Sequence, residues 1–337
     1  MKFVLNKFDT EINFIDKFVD FPPVHKIVII DKYIHKLYKS KLDLFLKDTP
    51  TYLFEATEAN KILAEVENIY SFFIKNKVNR ESVVIGIGGG ITTDVTAFAA
   101  STFKRGCRLQ LIPTTFLGMI DAAIGGKTAV NFNGIKNNIG TFYPAEKVII
   151  NTEFLKSLSD IELKNGWVEC LKVSLIVDNG LYEILKNNNI IVTSEIIEKA
   201  IQIKVMHCEN DLHDSGERQK LNLGHTFAHL IESASDYSVK HGEAVAIGVR
   251  KAADYSHKEK MITSDELKAI NEIYDKYKLP KTISHEIKNK INVKGKKLIQ
   301  QDKKAGKKVK LVLFRGLFDV VVKEIDDYKK IIDLMIQ

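Results

Sequence analysis

As far as Asn151, short apolar runs alternate with segments of helical spacing. Lys26–Asp31 (KIVIID) and Ser82–Ile87 (SVVIGI) are compact and rich in Val and Ile, and each is followed by a polar or glycine-rich turn. Leu109–Ile112 and Lys147–Ile150 repeat the theme. Runs this short and β-branched predict strands. Between them, Thr57–Asn76 spaces Leu63, Val66, Ile69, Phe72 and Phe73 by intervals of three and four, which predicts a helix. Strand then helix, repeated, predicts a parallel α/β sheet covered on both faces.

After Thr152 the texture changes. Helical spacing dominates, as in Ser194–Cys208 and Glu243–Ser256, and the main remaining strand signal is Val309–Phe314 (VKLVLF). The chain therefore reads as an α/β Rossmann-like N-terminal domain over 1–152 and a mainly α-helical C-terminal domain over 153–337, with no internal repeat. A length of 337 residues suits two domains better than one core. A cleft between two such domains is a common place for a ligand.

Composition narrows the function classes. Hydrophobic residues make up 45% and charged residues 28%, a soluble globular profile. No apolar run reaches the roughly 18 residues of a membrane span. The N-terminal stretch MKFVLNKFDTEINF is interrupted by Lys7, Asp9 and Glu11, which argues against a secretory leader. Cys107, Cys170 and Cys208 match neither a disulfide framework nor a zinc-finger spacing, so a cytoplasmic protein is expected. Much of the net charge of +7 sits in VKGKKLIQQDKKAGKKVK, Val293–Lys310. That run lacks interleaved aromatics for base stacking and reads as a solvated loop rather than a nucleic-acid site.

Three clusters carry candidate chemistry. Gly86, Gly88, Gly89 and Gly90 follow a strand and precede the helical segment TTDVTAFAAS, where backbone N–H groups can meet a diphosphate. The pattern is not G-x-G-x-x-G, and a tight turn without a ligand would look the same. Asp94 is expected in the first helical turn, where a carboxylate suits the helix dipole. Lys127 follows Gly125 and Gly126, with Asn131, Lys136, Asn137 and Gly140 close behind. This is no Walker A loop, since Asp121 stands where that motif needs glycine, and a plain surface loop is an equal reading. The sharpest signal is LNLGHTFAHL: His225 and His229 stand four apart, on one helix face, and His241 follows in HGEAVAIG. Two or three imidazoles with a carboxylate (Glu169, Glu232 or Glu243) would suit a divalent metal with one position open. Lys172 falls on the same face as Glu169, and a continuous helix would bring Asn222 alongside His225, with Arg218 further upstream.

These segments resemble one family in order and spacing. GGGITTDVTAFAASTFKRG, IPTTFLGMIDAAIGGKTAVN, KNNIGTFYPAEKVII, VECLK, LNLGHTFAHLIE and HGEAVAIG are similar to successive motifs of the 3-dehydroquinate synthases, over about Asp31 to Phe314. The resemblance implies an NAD- and metal-dependent lyase of the shikimate pathway, in aromatic amino acid biosynthesis. Such an enzyme closes a carbocycle from 3-deoxy-D-arabino-heptulosonate 7-phosphate and releases phosphate. NAD+ would take a hydride and return it within each turnover. The implied NAD residues are Asp31, Glu58, Lys61, Gly89, Gly90, Asp94, Thr114, Thr115 and Lys136, with Lys127 nearby. Glu169, His225 and His241 are the implied ligands of zinc or cobalt. His229 becomes a substrate contact instead, with Asp121, Lys127, Asn137, Lys172, Lys204, Arg218, Asn222 and one of Lys303 and Lys304. Arg105 is implied to reach a neighbouring subunit's substrate, hence a homodimer. Several cations suit a substrate bearing carboxylate and phosphate.

The chain departs from the family pattern at Thr93 and Thr96, where glycine is usual, at Ala228 and Leu230, and at Val168 and Cys170 beside Glu169. These changes predict repacked helices around an intact site. Competing readings are a sugar-phosphate cyclase with another substrate, a metal-dependent polyol dehydrogenase, and a basic nucleic-acid-binding module. The last leaves the histidines unexplained.

Overall fold

In the computed structural model of the chain, residues 1–5, 8–16, 24–43, 45–302, 308–326 and 328–337 are described. They divide into two compact units, Met1–Leu163 with Lys204–His213, and Lys164–Ile203 with Asp214–Gln337.

The first unit holds strands β1 (Lys2–Leu5), β2 (Phe8–Phe14), β3 (Lys26–Asp31), β4 (Thr51–Phe54), β5 (Val83–Gly88), β6 (Arg108–Pro113), β7 (Lys127–Phe132), β8 (Ile135–Phe142) and β9 (Lys147–Ile150). Its helices are α1 (Lys32–Leu37), α2 (Lys39–Leu42), α3 (Leu63–Lys75) and α4 (Gly90–Thr102). Among the described residues, seven strands form one sheet in the order β1-β2-β9-β6-β5-β3-β4. All its pairings are parallel except β1 with β2. The predicted parallel α/β sheet is therefore present. Ile27, Ile29 and Ile30 of β3 and Val84, Ile85 and Ile87 of β5 are fully buried. Strands covered on both faces lose the polar–apolar alternation, which is why they read as continuous apolar runs. Each such side chain contributes about 1.5–3 kcal/mol by leaving water. From β3 the chain goes to β4 on one side and then to β5 on the other. The strand order thus reverses beside β3, the kind of point where open α/β sheets bind ligands.

One segment of the first unit differs from expectation. Lys127–Phe142, read as an amide-rich loop, is an antiparallel hairpin of β7 and β8. In β8 most side chains are exposed, so no buried face imprints a period of two on the sequence.

Helix α5 (Asp160–Ser174) begins in the first unit and runs into the second. It is followed by α6 (Leu181–Asn187), α7 (Ser194–Cys208), α8 (His225–Ala234), α9 (His241–Lys258), α10 (Ser264–Lys276), α11 (His285–Asp302), the hairpin β10 (Val309–Gly316) with β11 (Asp319–Ile325), and α12 (Tyr328–Ile336). The expected helix over Ser194–Cys208 appears with those bounds. Strand β11 was not expected. No helix among the described residues is long and apolar enough to cross a membrane. Helix α8 packs closely on α9 because two glycines meet. A Cβ on Gly248 would lie 2.2 Å from the Gly224 carbonyl oxygen, and Gly224 itself sits at φ +78°. The turn at Gly224 starts α8 at His225 and so sets the histidine face against α9.

Candidate active site

In the first unit a pocket of about 550 Å³ opens at the carboxyl ends of β3, β5 and β6. Asp31, Gly89, Gly90, Thr114 and Thr115, all implied NAD contacts, line it together. Each stands where a strand stops. Asp31 ends β3 and caps α1, its Oδ1 accepting from Tyr33 N at 2.8 Å. Gly89 is the N-cap of α4 and Gly90 its first residue, so free N–H groups of a 13-residue helix face this end. Side chains are excluded there: a Cβ on Gly88 would meet Thr92 Oγ1 at 2.5 Å, and one on Gly89 would meet Thr115 Cγ2 at 3.0 Å. Tyr33, Ser157, Ser159 and Glu162 also line the pocket and were not singled out from the sequence. Nothing in their spacing distinguishes them from ordinary surface residues.

The other implied NAD residues of this unit form a polar network beside α4. Asp94 is the fifth residue of α4, not part of its first turn. It serves an ion pair rather than the helix dipole: Lys61 Nζ lies 2.6 Å from Asp94 Oδ2 and 2.5 Å from Asn137 Oδ1. Lys61 is buried. Burial pushes the Asp94 carboxyl up, and the Lys61 charge pulls it back in part. Asn131 Nδ2 donates to Glu58 Oε1 at 2.8 Å, and Asn137 N donates to Asn131 Oδ1 at 2.9 Å, so the β7–β8 hairpin is tied to this network. Asn137 takes the left-handed region at φ +52°. Lys136 is exposed beside it on β8, and Lys127 is exposed at the start of β7. Lys204 is buried and pairs with Asp121. Arg105 is exposed, in a tight turn at φ +67° that follows α4.

In the second unit Glu169, His225 and His241 converge, each offering a ligand atom, and those atoms lie within 4.8 Å of one another. Glu169 comes from α5, His225 from the start of α8 and His241 from the start of α9. Glu169 Oε1 lies 3.2 Å from His241 Nε2 and 3.7 Å from His225 Nε2. Lys172, one turn along α5, places Nζ 2.5 Å from Glu169 Oε2, and both side chains are buried. Burial alone would raise the Glu169 carboxyl, but Lys172, His225 and His241 hold it well below the usual carboxylate range. Burial, reinforced by Lys172, keeps His225 well below the usual imidazole value and therefore neutral. Burial also opposes charge on His241, yet its hydrogen bonds to Glu169 and Glu232 outweigh that and push it up to about 10.

Of the three carboxylates weighed from sequence, only Glu169 joins the cluster. Glu232 Oε1 faces the far side of His241, 3.2 Å from Nδ1, and Glu243 Oε2 accepts from Lys240 N at 3.4 Å. His229 follows His225 by one turn of α8, the two rings 5.6 Å apart edge to face. The expectation of one continuous helix through Asn222 and His225 fails. Asn222 ends a short 3-10 helix, Glu217–Asn222, and the left-handed Gly224 separates it from α8. Arg218 in that segment is fully buried, and Asn222 is half-buried. Lys303 and Lys304 lie outside the described residues.

Two of the residues that depart from the family pattern, Thr93 and Thr96, lie on α4 and are buried. Thr96 Cβ and Cγ2 lie 3.0 Å from where a Gly86 Cβ would stand, and Thr93 Oγ1 donates to the Gly90 carbonyl at 3.0 Å.

The donor set suits a divalent metal. A buried carboxylate and two imidazoles are three protein ligands of the kind catalytic zinc sites use, with a position left for substrate. The first-unit pocket suits a dinucleotide, having a helix N-terminus, an acidic strand end and a size typical of ligand sites.

The chain is similar in sequence and fold to several known proteins. A family model described as 3-dehydroquinate synthase N-terminal matches residues 51–165, and one described as 3-dehydroquinate synthase C-terminal matches residues 166–305. A 3-dehydroquinate synthase of Pelagibacter ubique is 41% identical over 311 residues, covering 88% of this chain and 84% of that protein. The structure of 2-epi-5-epi-valiolone synthase from Streptomyces hygroscopicus, solved with NAD+ and Zn2+, matches with a TM-score of 0.84 and 25% identity, covering 98% of this chain and 97% of that one. A 2-deoxy-scyllo-inosose synthase, solved with carbaglucose-6-phosphate, NAD+ and Co2+, matches with a TM-score of 0.86 at 22% identity over 100% of this chain and 99% of its own.

Proposed function

The chain belongs to the 3-dehydroquinate synthase family, and on that premise we propose that it converts 3-deoxy-D-arabino-heptulosonate 7-phosphate to 3-dehydroquinate and phosphate. The step is a phosphate-eliminating lyase reaction of the shikimate pathway, and the cytoplasm is its expected compartment. The observation that carries the reading is the convergence of Glu169, His225 and His241 from three helices, with Lys172 at the same carboxylate.

Glu169, His225 and His241 would hold one divalent metal, zinc or cobalt. The family resemblance and the valiolone synthase neighbour, which holds NAD+ and Zn2+, support the two cofactors. When bound, the metal would supply Lewis-acid polarisation of a substrate oxygen, and NAD would supply a hydride acceptor and donor. The chain's own residues bind and orient. Lys172 and Arg218 are buried cations whose charge suits the carboxylate and phosphate of the substrate. Asn222 and His229 flank His225 along the chain and would contact the same molecule. In the first unit, Asp31, Gly89, Gly90, Thr114 and Thr115 would seat NAD. Lys61, by holding Asp94 and Asn137, would keep the flank of that pocket and the β7–β8 hairpin in one arrangement. Lys204 and Asp121 would keep a polar pair poised at the substrate, with Lys127, Lys136 and Glu58 as further contacts.

A second reading is a cyclase for another sugar phosphate, favoured by the likeness to valiolone synthase. The higher identity to a dehydroquinate synthase, 41% against 25%, weighs against it. The discriminating experiment offers the purified protein 3-deoxy-D-arabino-heptulosonate 7-phosphate, sedoheptulose 7-phosphate and glucose 6-phosphate separately and identifies products by mass and NMR. Dehydroquinate from the first substrate alone is expected. A cyclised product from either of the others, with none from the first, overturns the assignment. Arg105, exposed in its turn, is proposed to serve a partner's site in a homodimer. Mixing Arg105→Ala with Lys172→Ala chains should then restore part of the activity, and no recovery despite subunit exchange would remove this part.

A further inference from the structure

The metal reading leaves open what aims the two imidazoles, and the inference here rests on that reading. A metal-bound imidazole uses one ring nitrogen, and the N–H on the other needs an acceptor that fixes both tautomer and ring rotation. The two histidines meet this need differently. His225 Nδ1 lies 3.3 Å from the Leu223 carbonyl oxygen, supplied by the backbone just before Gly224. His241 Nδ1 lies 3.2 Å from Glu232 Oε1, a carboxylate near the end of α8. Both rings are thereby turned with Nε2 toward Glu169. The Glu232 side chain is only 13% exposed, so its pairing with His241 is not a solvated surface contact.

We infer that Glu232 is a positioning residue for the metal site. It accepts the His241 Nδ1–H, locks the tautomer that presents Nε2, and strengthens that nitrogen as a donor more than a neutral carbonyl would. It also couples two helices: α8 supplies His225 as a ligand and, two turns later, the carboxylate that aims the ligand of α9. The family resemblance assigns Glu232 no role, and sequence spacing ranked it merely as one of three possible ligands.

The test is zinc binding by the full-length, metal-stripped protein in competition with a chromogenic chelator, paired with the visible spectrum of the cobalt-loaded form. Wild type should bind one equivalent, and His241→Ala should lose it. Glu232→Ala should weaken zinc binding about 10–100-fold and shift the cobalt bands. Glu232→Gln, whose amide oxygen can still accept the Nδ1–H, should recover part of that loss. Circular dichroism of the metal-free Glu232 variants at the temperature of the titration should show them folded, which separates aim from folding. Wild-type zinc affinity and an unshifted cobalt spectrum in Glu232→Ala overturn the inference while leaving the metal reading intact. Should Glu232→Ala not fold, a Glu232→Gln protein identical to wild type in both readouts overturns it as well. No zinc binding by wild type, or full retention by His241→Ala, overturns the metal reading and this inference together.

Discussion

The two units build their candidate sites from different materials. The first relies on shape and backbone: a pocket at strand ends, glycines that leave no room for side chains, and a helix N-terminus. The second concentrates ionisable side chains in the interior, with Glu169, Lys172 and Arg218 all at least 97% shielded from solvent. Each isolated buried charge costs several kcal/mol, so such a cluster persists only as a matched set. A backbone site has no comparable debt. The second site should therefore fail when one member is removed, whereas the first should degrade by degrees.

The largest effect is expected at His241. His241→Ala removes a ligand and leaves Glu169 without one partner, so kcat should fall on the order of a thousandfold, several kcal/mol of lost charge stabilisation. Metal content measured by elemental analysis should fall with it. Full metal and near-normal kcat would break the contrast outright.

Lys61 tests where the contrast has an exception, since Lys61–Asp94 is a buried ion pair inside the first unit. Lys61→Ala should lower unfolding free energy by about 3 kcal/mol, as removal of one partner of a buried pair does. The sign with pH follows from Asp94. Its carboxyl is already raised by burial in the folded state and rises further without Lys61. A carboxyl raised on folding makes the folded state lose stability as pH climbs from its unfolded value through its folded one. The deficit should therefore shrink when denaturant melts are repeated at lower pH, toward the unfolded value. A deficit that grows on acidification would show that Asp94 is not the group left stranded.

The smallest effect is expected at Gly89. Gly89→Ala meets Thr115 Cγ2 at 3.0 Å and crowds the pocket, so NAD binding by calorimetry should weaken about tenfold, 1.4 kcal/mol, with zinc affinity unchanged. Thr115→Ser, which removes that methyl, should recover part of the loss. Coupled loss of zinc would mean that the two sites are not energetically separate.

Legibility from sequence followed the same division. The buried strands were readable as continuous apolar runs and the helix over Ser194–Cys208 by its spacing, because burial selects the residues. The β8 half of the β7–β8 hairpin was not, since most of its side chains are exposed and no buried face marks them. Spacing alone placed His225 and His229 on one face, but it could not choose among Glu169, Glu232 and Glu243. That choice depends on α5 and α9 meeting α8 in space, and only the family resemblance anticipated Glu169. The interruption at Gly224 was hidden because a glycine before a helical run looks the same whether or not the helix continues through it.

NAD+ is proposed to be catalytic, its hydride leaving and returning within one turnover. That role is tested most directly by giving the metal-loaded protein excess 3-deoxy-D-arabino-heptulosonate 7-phosphate with substoichiometric NAD+, while following phosphate release and absorbance of the reduced nicotinamide. Phosphate should exceed added NAD+ many-fold with absorbance staying near baseline. NADH accumulating to the level of the added NAD+, with phosphate release stopping there, would contradict the account and make the protein a dehydrogenase.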